Sequence, residues 1–429
     1  MSMGRLSVKR ETFKIVTYGC EMNDYDSEII SSILKNEGYE EVFDIEDAKI
    51  VVVNGCSVRD HAQKRALGFI QSLKGKKDGK RFIIAGCLAK SLENENIFSD
   101  ESFIVSTEYK KLPELLKLKN FKEFKINSLG NYSDILRKTD FTLYLPIMKG
   151  CNNFCSYCIV PYLRGEEVSF SVDDVIENIK KNINDKTGEI MLLGQNVNSY
   201  FYDSYDFVRL LEKVAKEFKD MRIRFLTSHP KDFSPDIVKL MADYENICPH
   251  LHLPVQTGSD KLLRLLHRDY TVKDFLEKID KARKILKDIS ITTDIMVGLP
   301  YENENDFEDT LKLVLDIEFD DAFMYRFSKR KNTLAYFMED CDKKVSSSRL
   351  KKLIDLQRSV KEKKLKELVG REVEVIVEKV SKKSKKEYYG RDRHNRSVVV
   401  NGDDIKINDK VIVQIVQIKG ITPYGIKKR

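Results

Sequence analysis

Three cysteines fall within the eight positions from Cys151 to Cys158 in KGCNNFCSYC, with Cys155 between them, and no fourth follows. A structural zinc site is closed by four protein ligands, and ordinary iron–sulfur carriers also use four cysteines per cluster. Three thiolates leave one metal corner open, which is useful when something other than the protein must bind there. A second set has a different grammar. Cys20, Cys56 and Cys87 are each preceded by glycine, and each closes a short apolar run, in FKIVTYGC, AKIVVVNGC and RFIIAGC. If those runs are neighbouring parallel strands, the three thiols emerge at one edge of a sheet. A glycine beside each lets the backbone approach closely and keeps side-chain bulk away from a bound cluster. One buried cysteine at a strand end is ordinary; three with the same grammar favour a metal site. The chain thus carries two sets of three thiolates in different segments, and two open clusters is a better reading than one six-thiolate assembly.

Cys248, His250 and His252 alternate along CPHLHLP and face one side of a strand. They can be read as metal ligands, but a strand lining a polar barrel interior or a substrate cavity is the simpler reading. Cys341, in the polar stretch MEDCDKKVSS, is incidental.

The elements that position these residues divide the chain in three. Up to about residue 126, β-branched runs alternate with amphipathic helices such as DYDSEIISSILKNEGYEEV, the pattern of a parallel α/β sheet. A polar stretch, LKNFKEFKINSLGNYSDILRKTD, reads as a linker. Six strand-length apolar runs follow, at Thr142–Met148, Glu189–Leu193, Arg222–Thr227, Cys248–Val255, Ile291–Val297 and Asp321–Phe327, with helical patterns between them. Six units are too few for a full eight-stranded barrel, so a partial open barrel and an open doubly wound sheet both fit. In either, ligands belong at the C-terminal strand ends, and KGCNNFCSYC begins just past the first of them. A charged helix leads to short alternating runs, REVEVIVEKV, EYYGRDRHNRSVVV and KVIVQIVQIKGI, which predict a small all-β barrel. Such barrels commonly bind oligonucleotides.

The formal net charge is +7, and it is localised. From Val369 to Arg429 there are 15 Lys or Arg against 8 Asp or Glu, so this last segment holds the whole excess. A basic terminal module is the footprint of a nucleic-acid partner, although a lysine-rich solvated surface has the same count. No secretory leader and no apolar run of membrane-spanning length stands in the sequence, so the expected compartment is the cytoplasm, with no membrane partner.

KGCNNFCSYCIVPYLRGEE contains C-x3-C-x-aromatic-C, with Tyr157 as the aromatic, and resembles the signature of radical S-adenosylmethionine (SAM) enzymes. In those enzymes three cysteines bind a [4Fe–4S] cluster, and SAM chelates the remaining iron through its amino and carboxylate groups. The resemblance extends over essentially the whole chain, to the radical SAM methylthiotransferases. It is carried by TYGCEMNDYDSE, GCSVRDHA, AGCLAK, LLGQNVNSY, RFLTSHP, HLHLPVQTGSDKLLRLLHRDYT, TTDIMVGLPYENENDFEDT and the TRAM-like EYYGRDRHNRSVVV. It implies an α/β chain with a parallel-sheet N-terminal domain at 11–126, a partial (βα)6 radical SAM barrel at 137–366, and a small all-β TRAM barrel at 367–429. FSKRKNTLA, Phe327 to Ala335, lacks the glycine and prolines of the family's pattern, and Glu21 stands where the family usually has glutamine.

Within the family the chain is most similar to the branch that methylthiolates C2 of N6-dimethylallyladenosine beside the tRNA anticodon. The rival branches act on threonylcarbamoyladenosine or on a ribosomal-protein aspartate. A non-catalytic metal-bearing RNA-binding protein is the reading from another class. The resemblance implies an auxiliary [4Fe–4S] cluster on Cys20, Cys56 and Cys87, and a radical SAM cluster on Cys151, Cys155 and Cys158. One SAM would supply the methyl group and a second the radical that removes the C2 hydrogen. The implied partners are the tRNA anticodon stem-loop, an electron donor and a sulfur source, with a single chain as the expected unit. No side chain is assigned a catalytic proton transfer. Tyr157 and the strand-end residues Gln195, Asn196, Ser228, Gln256 and Ser259 are candidates for cofactor contact, and these strand-end types also cap turns. Arg391, Arg393 and Arg396 are candidates for the RNA backbone.

Overall fold

The computed structural model describes residues 11–73, 79–92, 103–105, 112–117, 141–381 and 386–428. The expected linker at 118–140 lies outside the described residues. In the N-terminal domain, five parallel strands run side by side in the order Glu40–Glu41, Thr12–Tyr18, Ile50–Gly55, Arg81–Ala85 and Phe103–Val105. Alternate residues of one strand feed opposite faces, as the two-residue period of a strand requires. Ile50 and Val52 pack with Ile29, Ile30 and Leu34 of the helix Glu21–Asn36, while Val51 and Val53 pack with Ala66 and Ile70 of Asp60–Leu73. Both faces are therefore covered, which is why the run IVVVNG is apolar without alternation.

In the central region the strands Thr142–Pro146, Glu189–Leu193, Arg222–Phe225, His250–His252, Ser290–Val297 and Asp321–Arg326 are parallel. They stand in chain order, in two three-stranded sheets joined by a bridge between Ile223 and Ile247. A doubly wound sheet reverses its order at a switch point; here the order never reverses, and the sheet curves into an open six-stranded barrel. The fourth strand is shorter than the run Cys248–Val255 because Pro249 and Pro254 have no N–H to give the ladder. Helices return between strands with their signals in place. Ser171 accepts from Asp174 N–H at 3.0 Å to cap Val172–Asn182, whose Val172, Val175, Ile176 and Ile179 form its buried face. Thr271 and Asn303 head capping boxes on Val272–Ile285 and Glu304–Ile317.

The helix Lys343–Lys366 leads into a closed barrel of five strands, ordered Glu372–Val380, Glu387–Asp392, Ser397–Asn401, Thr422–Lys427 and Lys410–Lys419. The run EYYGRDRHNRSVVV forms two strands, because the chain turns back at Arg393–Arg396 with Asn395 at φ +64°. Among the described residues no helix is long and apolar enough to cross a membrane.

Candidate metal centres and barrel interior

Strand register sets the N-terminal thiols level. Tyr18 pairs with Gly55 and Asn54 with Ala85, so Cys20, Cys56 and Cys87 all leave the same edge from three adjacent strands. A buried asparagine pair locks these loops. Asn54 Nδ2 donates to Asn23 O at 2.7 Å and to Ser27 Oγ at 2.8 Å, while Asn23 Oδ1 accepts from Cys20 N–H at 3.4 Å. Gly86 holds φ +73°, and a Cβ there would stand 2.2 Å from Asn54 Oδ1. At that position the glycine serves the asparagine lock as well as clearance around the thiols.

The electrostatics of this edge suit a cationic core. Cys20 hydrogen-bonds to Cys56, and this shared bond draws Cys56 down to about 7 and leaves Cys20 well above its usual value. Burial raises Cys87, against the pull of Arg164. Each thiolate raises its neighbours, so three can ionise together only against bound metal. Among the described residues no three His, Cys, Asp or Glu side chains stand close enough to share one metal ion. A four-iron cube asks for a wider spacing, since each thiolate binds its own iron.

The second triplet occupies the loop between the first barrel strand and the helix Val160–Arg164. Cys158 N–H donates to Cys155 O at 2.9 Å, and Cys151 N–H to Gly165 O at 3.2 Å. Gly150, at φ +73°, lets the loop cross Glu166, whose carbonyl oxygen a Cβ would overlap at 1.9 Å. Burial, with Cys155 adding to it, pushes Cys158 up to about 12. His229 Nε2 lies 3.9 Å and Arg268 Nη1 3.5 Å from Cys155 Sγ.

The two thiol sets are joined through one short helix. Arg164, six residues after Cys158, sends Nε to Cys87 Sγ at 3.1 Å and Nη2 to Asp26 at 2.9 Å. Cys20 and Met22 pack on Met191 and Leu193 of the second barrel strand. Arg59 lies over the rings of Phe323 and Tyr325 on the last one. The N-terminal domain thereby lays its thiol edge against the open barrel. Arg330, inside the FSKRKNTLA loop, adds bonds to Gln63 Oε1 at 2.5 Å and Val58 O at 3.0 Å, beside Cys56. That loop departs from the family's pattern at a contact between domains.

The cofactor candidates separate. Gln195 Oε1, Asn196 Oδ1 and Ser228 Oγ are buried with no protein partner, as is Ser156 Oγ in the cysteine loop. Such atoms are costly unless a ligand or water meets them. Thr227, at φ +65°, and Gln256, at φ +73°, hold strained backbone at the same strand ends. Tyr157 is packed against Leu262, Leu266 and Met296 and accepts from Arg268 at 3.4 Å. Ser259 does otherwise: its hydroxyl donates to Asp306 at 2.7 Å and caps the helix Asp260–Leu265. It is a turn-capping residue, because the strand-end rule locates a loop and not the direction of a side chain. Inside the barrel His250 and His252 both meet Thr292 Oγ1 at 3.0 Å, so this face is a polar interior. Cys248 is buried near Arg224, and neither it nor Cys341 joins a triplet.

Comparison with known proteins agrees with this architecture. Family profiles described as Radical SAM superfamily, Uncharacterized protein family UPF0004 and TRAM domain match residues 145–314, 12–106 and 366–422. The tRNA-2-methylthio-N(6)-dimethylallyladenosine synthase of Azobacteroides pseudotrichonymphae is 38% identical, over 96% of this chain and 96% of that one. The protein of the same name from Thermoanaerobacter sp. is 39% identical, over 96% of this chain and 92% of its own. The chain belongs to this synthase family. Among solved structures, the radical SAM methyltransferase TsrM from Kitasatospora setae aligns with TM-score 0.55 at 11% identity. It covers 76% of this chain and 74% of that one, a likeness of fold alone.

The terminal arginines are turned inward. Arg391 pairs with Glu378 and reaches Glu189 at 3.4 Å; Arg393 donates to the carbonyl of Glu245; Arg396 holds Asp392 at 2.6 Å. From the core, Arg224 donates to Asp392 O at 2.6 Å and to Glu189 at 2.7 Å, and Arg222 pairs with Glu374. Arg391 and Arg393, with Arg222 and Arg224, fasten the TRAM barrel to the N-terminal end of the core barrel, and Arg396 is spent on Asp392 within the terminal barrel, against the expectation that the three face RNA. Burial would raise the Glu189 carboxyl, but Arg224 and Arg391 outweigh it and hold it below its usual value. The pair therefore stabilises the fold at neutral pH, and that contribution is lost as pH falls through the depressed value. Glu189→Ala leaves the buried Arg224 without a carboxylate and is expected to cost about 3–5 kcal/mol in denaturant unfolding. A loss under about 1 kcal/mol would mean that water already screens this cluster.

Proposed function

We propose that this chain is a radical SAM enzyme that transfers a methylthio group to C2 of N6-dimethylallyladenosine in tRNA. The observation that carries the reading is the meeting of two three-thiol sets from different domains at one barrel, joined through Arg164. When bound, two [4Fe–4S] clusters and SAM would supply the one-electron chemistry that an unactivated C2–H bond requires, and SAM the methyl group that is transferred. Cys20, Cys56 and Cys87 would hold one cluster and Cys151, Cys155 and Cys158 the other.

The protein's part is holding and shielding. The unpartnered Gln195, Asn196 and Ser228 oxygens supply acceptors for a polar cofactor at the barrel mouth. Met22, Met191 and Leu193 exclude water between the thiol edge and the barrel. Burial keeps His250 neutral, so that it orients without adding charge. The target base must leave its stack to reach this interior, so the substrate is an anticodon stem-loop with an accessible loop. The working unit is a single chain in the cytoplasm, served by a separate electron donor and sulfur source.

With Arg391, Arg393 and Arg396 committed inward, the hold on phosphate falls to exposed lysines of the terminal barrel such as Lys379, Lys406 and Lys419. Replacing the three arginines with alanine is expected to lower the melting temperature and change the log–log salt slope of RNA affinity by less than about one unit. A slope flattened by about two to three units would restore those arginines to the RNA backbone. The function itself is tested by mass spectrometry of tRNA nucleosides from a deletion strain with and without this gene. Restoration of 2-methylthio-N6-dimethylallyladenosine is the expected result. Methylthiolation of threonylcarbamoyladenosine or of a ribosomal protein instead would overturn the assignment.

A further inference from the structure

Arg268 is 4% exposed, and its hydrogen-bond partners are a thiol and neutral oxygens. Nε donates to Tyr270 OH at 3.2 Å, Nη2 to Pro254 O at 2.7 Å, and Nη1 to Tyr157 OH at 3.4 Å and Cys155 Sγ at 3.5 Å. Among the described residues no carboxylate pairs with it, and the adjacent Asp269 is taken by Lys231 at 3.1 Å. A guanidinium buried among neutral groups is costly until an anion stands beside it. The thiol it touches can be that anion.

His229 approaches the same sulfur in a defined tautomer. Lys231 N–H donates to its Nδ1 at 3.2 Å, so in the neutral ring the proton resides on Nε2, which lies 3.9 Å from Cys155 Sγ. The ring is held edge-on to Tyr270, with centroids 5.8 Å apart. Cys155 thus faces two N–H groups contributed by residues 74 and 113 positions away.

We propose that Arg268 and His229 are positioning residues that clamp the Cys155 thiolate and set the reduction potential of the cluster it holds. Arg268 supplies a fixed counter-charge and His229 a neutral N–H. Both favour the reduced cluster, which carries one more negative charge, and so move its potential toward less negative values. The inference rests on the reading of Cys151, Cys155 and Cys158 as cluster ligands.

The test is a mediated titration with Ti(III) citrate, followed by electron paramagnetic resonance, on anaerobically reconstituted full-length protein. A C20A/C56A/C87A background leaves one cluster to read. Arg268→Gln is expected to lower the equilibrium constant for reduction about tenfold, a midpoint about 59 mV more negative for this one-electron couple. His229→Phe is expected to lower it about threefold, and Arg268→Lys to stay within about threefold of the parent. Iron is counted first in every variant. An unchanged potential in an iron-loaded Arg268→Gln protein overturns the inference. If that variant binds no iron, His229→Phe decides: a lowered potential supports the clamp and the parental potential overturns it. A lysine variant as low as the glutamine variant overturns the counter-charge. If the C20A/C56A/C87A parent binds no cluster, it is the ligand assignment that has failed.

Discussion

Full-length protein carrying alanine at Cys151, Cys155 and Cys158 is expected to keep about half of its iron, four atoms of about eight. It should cleave no SAM. The N-terminal thiols leave their own sheet edge and are fixed by their own asparagine lock, so their cluster does not need the core loop. Arg164 links the sets, but a guanidinium bond to Cys87 can survive loss of thiols elsewhere in the preceding loop. The measurements are iron per chain and release of 5′-deoxyadenosine and methionine under strong reductant. Loss of all iron on this triple change would replace two clusters with one shared assembly.

The reciprocal variant, with alanine at Cys20, Cys56 and Cys87, separates the halves of the reaction. It should retain the radical cluster and still cleave SAM, because Cys155 and Cys158 are held by core contacts such as Ser156 N–H to Leu266 O at 3.0 Å. Methylthiolated RNA should fall to background, since the thiol set read as carrying the sulfur is gone. Product formed by this variant from added sulfide would make the N-terminal triplet structural only. A melting curve distinguishes loss of chemistry from loss of fold: the domain keeps both of its packed faces around Ile50–Gly55.

Short-range features were legible from the chain. The strand–Gly–Cys grammar works because a thiol one or two residues past a strand end must leave at that end, whatever the packing beyond it. The C-x3-C-x2-C spacing keeps three sulfurs in one loop for the same reason. The barrel strands were legible too, since two-sided burial leaves apolar runs that helices cannot match in length. Their curvature was not: an open barrel and a doubly wound sheet use the same local units, and only the unreversed order separates them.

The directions of individual polar side chains depended on tertiary structure. Ser259 caps a helix while its near neighbours at the barrel mouth leave oxygens unpaired, although all are polar residues in strand-end loops. Arg391 looked like a surface cation in a basic barrel, yet it lies against Glu189, 202 positions earlier in the chain. Arg268 and His229 carried no signal of their own in the sequence. Residue type, period and spacing therefore determined the chemistry available to this protein, because thiol sets and strands are local. Which charges face RNA and which hold the domains together was decided by docking, because a buried charge takes its meaning from partners that only the folded chain brings within reach.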